Sequence, residues 1–272
     1  KVFIYDPVLS EEVKSCRQLE SDLIHAYERG EIELHFQAQM GDGHELHGAE
    51  TLARWKHPIL GFVSPERFIR IAEESRQILK LGAWIMHQAF IQAKSWTVSR
   101  PNFNLAINIS PIQFHDADFI ENVIYIMIET KVNPQNITLE LTEGILISDT
   151  ESAVEKIARL AELGFKISID DFGTGYSSLS YFQRLPIHEL KIDKSFIARV
   201  PNSKEDVAII ESIVHLAKTK ELLIVAEGVE TQEQFDFIQE QTTNIIVQGY
   251  LFSKPCPARE FEASFLQNKS NI

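Results

Sequence analysis

Four short strand-like runs in this 272-residue chain each stop at a residue carrying oxygen. Asn108 follows Leu105-Ala106-Ile107, Glu140 follows Ile137-Thr138-Leu139, Asp170 and Asp171 follow Lys166-Ile167-Ser168-Ile169, and Glu227 follows Leu223-Ile224-Val225-Ala226. Glu50 stands inside a fifth such run, in Glu50-Thr51-Leu52. A lone Asp or Glu after a strand is most often a helix cap or a solvated turn residue. Gathered in one place, however, carboxylates repel one another and, like an amide beside them, are costly to desolvate, and bound divalent cations offset both costs. Oxygen ligands without clustered His or Cys favour Mg²⁺ or Mn²⁺ over zinc. Adjacent Asp170 and Asp171 could serve two ions about 3.5 to 4 Å apart, the spacing that two-metal phosphoryl chemistry uses. Lys191, near the end of the run Glu189 to Ile192, would bring a cation that holds a water or a developing oxyanion.

Other chemistries lack their residues. The run Asp171-Phe172-Gly173-Thr174-Gly175-Tyr176-Ser177-Ser178 has no Gly-Lys-Ser/Thr ending, so it reads as a loop that carries ligands and gates a site. His44 and His47 sit in a Gly-rich turn and read as turn residues. There is no G-x-S-x-G elbow, and neither Cys16 nor Cys256 has the setting of a nucleophile.

Something must bring these strand ends together. Strand-like runs occur at Glu33 to Gln37, Gly48 to Trp55, Phe103 to Ile109, Ile137 to Leu141, Phe165 to Ile169, Glu189 to Ile192, Leu222 to Ala226 and Ile245 to Val247. Helical periodicity falls between most of them, at Pro65 to Glu74, Ile78 to Thr97, Pro111 to Thr130, Glu151 to Leu163, Glu205 to Thr219 and Gln232 to Gln241. This alternation predicts an α/β fold, a (β/α)8 TIM-like barrel, whose strand ends converge on one rim. Ahead of it, Val13, Leu19, Leu23, Ile24 and Tyr27 predict an amphipathic lead-in helix from Ser10 to about Gly30. Residues 1–30 therefore read as a linker helix and 31–272 as the barrel.

A net charge of -13 excludes binding of long nucleic acid through a basic surface. Two distant cysteines fit a reducing cytosol. No apolar run reaches the roughly 20 residues that span a bilayer. The expectation is a cytoplasmic domain, and the start at Lys1 reads as a piece of a longer protein that could be membrane-anchored elsewhere.

These residues resemble the EAL domains, which hydrolyse cyclic di-GMP to linear pGpG. The resemblance runs from about Leu34 to Pro257. It is carried by Glu50-Thr51-Leu52-Ala53-Arg54-Trp55, Asn108-Ile109-Ser110, Glu140-Leu141-Thr142-Glu143, Asp170 to Ser178, Lys191-Ile192-Asp193, Glu227-Gly228-Val229-Glu230 and Gln248-Gly249-Tyr250-Leu251-Phe252. It implies a metal-dependent phosphodiesterase with two Mg²⁺ or Mn²⁺ ions held by Glu50, Asn108, Glu140, Asp170, Asp171 and Glu227. By the same resemblance Lys191 and Gln248 surround the attacking water, and Glu143 holds the Asp-Asp loop. Gln37, Leu52, Arg54, Glu230 and Gln248 are expected at the substrate, and Glu50, Lys191, Asp171 and Glu227 in the chemistry, with Glu227 or a bridging Asp accepting the water proton. The implied partners are cyclic di-GMP, a preceding GGDEF-type or sensory module, and a second copy in a homodimer.

Thr51 and Ala53 stand where Ala and Leu are usual in the signature, and Ala38 where Pro is usual. With period two, Glu50, Leu52 and Arg54 share one face while Thr51 and Ala53 point to the other. The alternative is a catalytically weak EAL-like domain that acts as a cyclic di-GMP receptor or protein-interaction module.

Overall fold

The structure, a computed structural model, describes residues 7–145, 150–173, 182 and 184–267. Its strands are β1 (Ile32–Met40), β2 (Leu46–His57), β3 (Gly61–Val63), β4 (Asn104–Ile109), β5 (Ile137–Thr142), β6 (Lys166–Phe172), β7 (Glu189–Ile192), β8 (Leu223–Ala226), β9 (Ile245–Gln248) and β10 (Cys256–Pro257). They form one sheet in the order β10-β1-β9-β8-β7-β6-β5-β4-β2-β3, and the additional pairing of β1 with β2 closes eight of them into a barrel. The expected eight runs are those eight strands. β3 and β10 are short additions that pair antiparallel with β2 and β1 at the margin.

One departure concerns direction. β1 runs antiparallel to both β2 and β9, whereas the pairings from β2 through β4 to β9 are parallel. No crossover helix joins β1 to β2. Instead Gly43 (φ 69°) and His44 (φ 63°) adopt left-handed backbone in a tight turn, a conformation that suits a hairpin and that glycine adopts without steric cost.

The helices are α1 (Pro7–Leu23), α2 (Pro65–Glu74), α3 (Ile78–Thr97), α4 (Pro111–His115), α5 (Phe119–Thr130), α6 (Thr150–Glu162), α7 (Lys194–Ile197), α8 (Lys204–Thr219), α9 (Gln232–Gln241) and α10 (Ala258–Phe261). α1 ends at Leu23, and hydrogen-bonded turns carry the chain to Gly30, so the lead-in helix is shorter at its C-terminal end than its periodicity suggests. The single helix expected over Pro111 to Thr130 is two. Ser110 caps α4 by accepting the Ile112 N–H, and Asp116 has extended backbone (ψ 144°) that breaks the run. α9 starts with a reciprocal capping box between Thr231 and Gln234.

Alternation along the strands sorts the core. Leu105, Ile107, Leu139, Leu141, Ile167 and Ile169 face outward and join the main apolar core with the surrounding helices. The intervening residues fill the barrel, and among them are Asn104, Asn108, Thr138, Glu140, Ser168 and Asp170. A second apolar cluster packs Leu19, Leu23 and Ala26 of the lead-in segment against Trp55, Phe68, Ile71 and Leu81.

Candidate active site

At the C-terminal rim of the barrel, four carboxylates converge on one ammonium. Lys191 Nζ lies 2.6 Å from Glu227 Oε1, 3.0 Å from Glu140 Oε1, 3.3 Å from Asp170 Oδ2 and 3.9 Å from Glu50 Oε1. Lys191 is fully buried, and Glu50 and Glu140 nearly so. Burial alone would lower the Lys191 pKa, but Asp170, Glu140, Glu227 and Glu50 outweigh it and hold the ammonium well above its ordinary value. The carboxylates respond in the opposite sense. Burial raises Glu140 well above the usual carboxylate range, with repulsion from Glu50, Asp170 and Glu227 adding to it and Lys191 opposing. Burial likewise pushes Glu227 up to about 7 against the pull of Lys191.

Each side chain is aimed by its strand end. Asn108, at the end of β4, donates from Nδ2 to Glu50 Oε1 at 2.6 Å, while Gln248, at the end of β9, donates to Glu50 Oε2. Asp170 and Asp171 sit on a register shift between Ile169 and Phe172. There Asp171 takes left-handed backbone (φ 55°), and its N–H donates to Asp170 Oδ1 at 2.9 Å. This bend is what lets consecutive residues of a strand leave its alternation and sit together at the rim. Burial, then the charge of Asp170, raises the Asp171 pKa.

The donor set fits a hard divalent cation. Neither oxygen of Glu140 has a hydrogen-bond partner although both are buried, and four carboxylates around a single ammonium leave the pocket short of positive charge. Among the described residues, no three acidic, His or Cys side chains are already drawn together as a cation cage. Here the rim carboxylates within reach of Lys191 turn toward its ammonium instead.

Beside this ring lies a cavity of about 450 Å³ walled by Leu52, Arg54, Asn108 and Asp171 together with Glu73 and Ser110. Arg54 is half-buried there, its Nη1 donating to the Ala53 carbonyl at 2.9 Å. Ala53 packs with Trp55 in the second apolar cluster, as the period-two alternation predicts. Thr51 and Ala53 nevertheless also contribute to the cavity wall, so the two faces are less cleanly separated than alternation implies. Gln37 is buried and accepts from Gln248 Nε2 at 3.1 Å. Glu230 is exposed on the loop after Glu227, where its backbone N–H donates to Gln234. Glu143 Oε2 accepts the Gly173 N–H at 3.2 Å, which ties the start of the Asp-Asp loop to the end of β5. Residues 174–178 of that loop lie outside the described residues. Sequence reasoning missed Glu73, which accepts the Ser110 hydroxyl at 2.6 Å. Its only sequence signal was a carboxylate on a helix that leads toward the Asn108 strand.

The profile described as "EAL domain" matches residues 20–255. The chain belongs to the EAL domain family. This EAL domain is 38% identical over 249 residues to the bifunctional diguanylate cyclase/cyclic di-GMP phosphodiesterase MucR of Pseudomonas aeruginosa, covering 91% of this chain and 36% of that protein. It is 38% identical over 248 residues to the cyclic di-GMP phosphodiesterase NbdA of the same organism, covering 90% of this chain and 31% of NbdA. The chain thus spans about a third of the length of these relatives. Among solved structures, the MucR phosphodiesterase in complex with c-di-GMP superposes with a TM-score of 0.86 at 38% identity, covering 90% of this EAL domain and 99% of that chain.

Proposed function

We propose that this EAL domain is a phosphodiesterase that hydrolyses cyclic di-GMP to linear pGpG. The observation that carries the reading is the rim itself, where Glu50, Asn108, Glu140, Asp170 and Glu227 converge around Lys191 and the Lys191 charge shared with three other carboxylates is all that faces the buried Glu140 oxygens, neither of which is hydrogen-bonded. In this reading Glu50, Asn108, Glu140, Asp170, Asp171 and Glu227 hold two ions, Mg²⁺ or Mn²⁺. When bound, such a pair acidifies a water and neutralises phosphate charge. That accounts for an acidic chain taking an anionic substrate.

The chain's own residues supply the rest. Lys191 and Gln248 orient the attacking water. Arg54 holds a phosphate, where a guanidinium can make two parallel bonds. Leu52, Gln37 and Glu230 contact the dinucleotide, and Glu143 keeps the Asp-Asp loop in register. Glu227 or a bridging Asp takes the water proton. The lead-in segment, packed on Trp55 and Phe68 just behind the Glu50 strand, is the route by which a preceding GGDEF-type or sensory module would reach the site.

Incubation with cyclic di-GMP and Mg²⁺ or Mn²⁺, followed by chromatography, should give pGpG, and Glu50→Ala should abolish it. Binding without product would favour a receptor, and turnover surviving Glu50→Ala would overturn the assignment of the ring.

A further inference from the structure

A chain of buried amides stands behind Glu50. Gln39, near the end of β1, lies directly across the ladder from Gln248 at the end of β9. Gln39 is 2% exposed and Gln248 4%. Gln39 Nε2 donates to Gln248 Oε1 at 3.0 Å. Gln248 Nε2 in turn donates to Gln37 Oε1 at 3.1 Å and to Glu50 Oε2. Gln37 Nε2 donates to the Ser253 carbonyl at 3.0 Å.

Only one orientation of these amides is self-consistent. An ionised carboxylate and a backbone carbonyl accept but do not donate, so Gln37 must turn its nitrogen to Ser253 and Gln248 its nitrogen to Glu50. The carbonyl oxygen of Gln248 is then left facing Gln39, in a buried place where an unpaired acceptor is costly. The backbone offers little slack. Val229 N–H donates to the Gln248 carbonyl at 3.1 Å, and a Cβ on Gly249 would meet the Val229 carbonyl at 2.0 Å, so β9 is seated hard against the loop after Glu227.

We propose that Gln39 is a positioning residue: it locks the Gln248 amide with its nitrogen on Glu50, so that Glu50 is gripped at Oε2 by Gln248 while Asn108 grips Oε1. Gln39 acts only through Gln248, and the proposal rests on the reading of Glu50 as part of the hydrolytic centre. Neither the family signature nor the cavity wall includes Gln39.

Gln39→Met keeps the length and volume of the side chain and removes the donor. Its expected effect is a fall in kcat of about five- to tenfold, the rate equivalent of one buried hydrogen bond, with KM for cyclic di-GMP unchanged. In a Gln248→Met background the same substitution adds nothing, because the partner through which it acts is gone. Gln39→Glu, whose carboxylate faces the Gln248 oxygen, lowers kcat further than Gln39→Met. Independently of turnover, the ¹⁵N side-chain amide resonances of Gln248, assigned by their loss in Gln248→Met, shift in Gln39→Met. Wild-type kcat with unshifted resonances in folded Gln39→Met would overturn the proposal, as would an equal loss of kcat in the Gln248→Met background. If the wild-type chain leaves cyclic di-GMP uncut while the resonances shift, the hydrolytic reading fails and the amide lock stands.

Discussion

Two buried carboxylates stand inside the same barrel, Glu140 at the rim and Glu189 near the floor, and burial raises the pKa of both. Their neighbours differ. Glu189 Oε1 accepts from the Thr138 hydroxyl at 3.1 Å, Thr138 Oγ1 accepts from Asn104 Nδ2 at 2.8 Å, and Lys166 offsets the charge. Glu140 has no hydrogen bond, shares a single ammonium with three other carboxylates, and faces their repulsion. The floor is a network that pairs its carboxylate and belongs to the fold, although Asn104 Oδ1 in it has no partner. The rim is an unsatisfied one that belongs to whatever it binds, and stability and activity should therefore respond oppositely to substitution in the two places.

The largest test removes the cation that holds the rim together. Lys191→Met leaves Glu50, Glu140, Asp170 and Glu227 buried without a counter-charge, and the metal-free protein should lose about 3–5 kcal/mol of stability, read by urea unfolding. Added Mg²⁺ should restore much of that loss, because a ligand that binds only the folded state stabilises it, while turnover stays low. If Mg²⁺ leaves the midpoint where it was, the rim is not a cation site. Glu140→Gln separates the two properties next. Removing one of four crowded charges should leave the metal-free melting point unchanged or higher, while kcat/KM for cyclic di-GMP falls by about a hundredfold, the scale on which disturbed metal sites respond. A parallel fall in both would make Glu140 a structural residue like Glu189.

The rim was legible in the sequence for the reason that makes it reactive. Polar and ionisable residues at the ends of apolar runs have no place in an ordinary core, so Asn108, Glu140, Asp170 and Glu227 stand out, and strand alternation places Glu50, Leu52 and Arg54 on one face. The floor gave no such signal. Thr138 and Glu189 are 51 positions apart, and nothing local says that one hydroxyl satisfies the other's carboxylate. Gln39 was hidden in the same way, since its partner is 209 positions away. The antiparallel direction of β1 is not carried by apolar alternation, which is the same in either direction; it follows from the hairpin that the left-handed Gly43 and His44 make. The break between α4 and α5 was missed because apolar periodicity continues across Asp116, while the Ser110 cap and the extended Asp116 backbone end the first helix.

The floor makes the smaller predictions. Thr138→Val keeps the shape of the side chain but removes both the donor to Glu189 and the acceptor for Asn104, so stability should drop by about 1–3 kcal/mol. Turnover per folded molecule should not change, since the hydrogen-bond partners of Thr138 are Asn104 and Glu189 and neither belongs to the rim ring around Lys191. A loss of kcat larger than the loss of folded protein would mean that the floor feeds the site after all.

His47 gives the subtlest effect. It sits at the floor end of β2, its Nε2 is buried without a hydrogen-bond partner, and burial, reinforced by the charge of Lys166, brings its pKa down to about 4. His188 is shifted the same way by burial and by the same lysine. In the unfolded chain both imidazoles would titrate near 6.5. Between that pH and about 4 the unfolded chain therefore binds protons that these two imidazoles refuse when folded, so their contribution to stability falls as pH falls through the window, opposite in sign to that of Glu227, whose raised pKa favours the folded state as pH falls. His47→Leu removes one of these protons and an unpaired nitrogen at once. At pH 7.5 its melting point should equal or slightly exceed that of the wild type. By pH 5 the variant should stand higher by a margin worth about 1 kcal/mol, discounted for the partial exposure of the ring. Replacing His188 as well should raise stability at pH 5 relative to pH 7.5 once more, since its pKa is lowered in the same direction. If the two melting curves stay parallel from pH 7.5 to 5, His47 takes up its proton in the folded barrel, and the floor is more accessible to water than the burial of Glu189 implies.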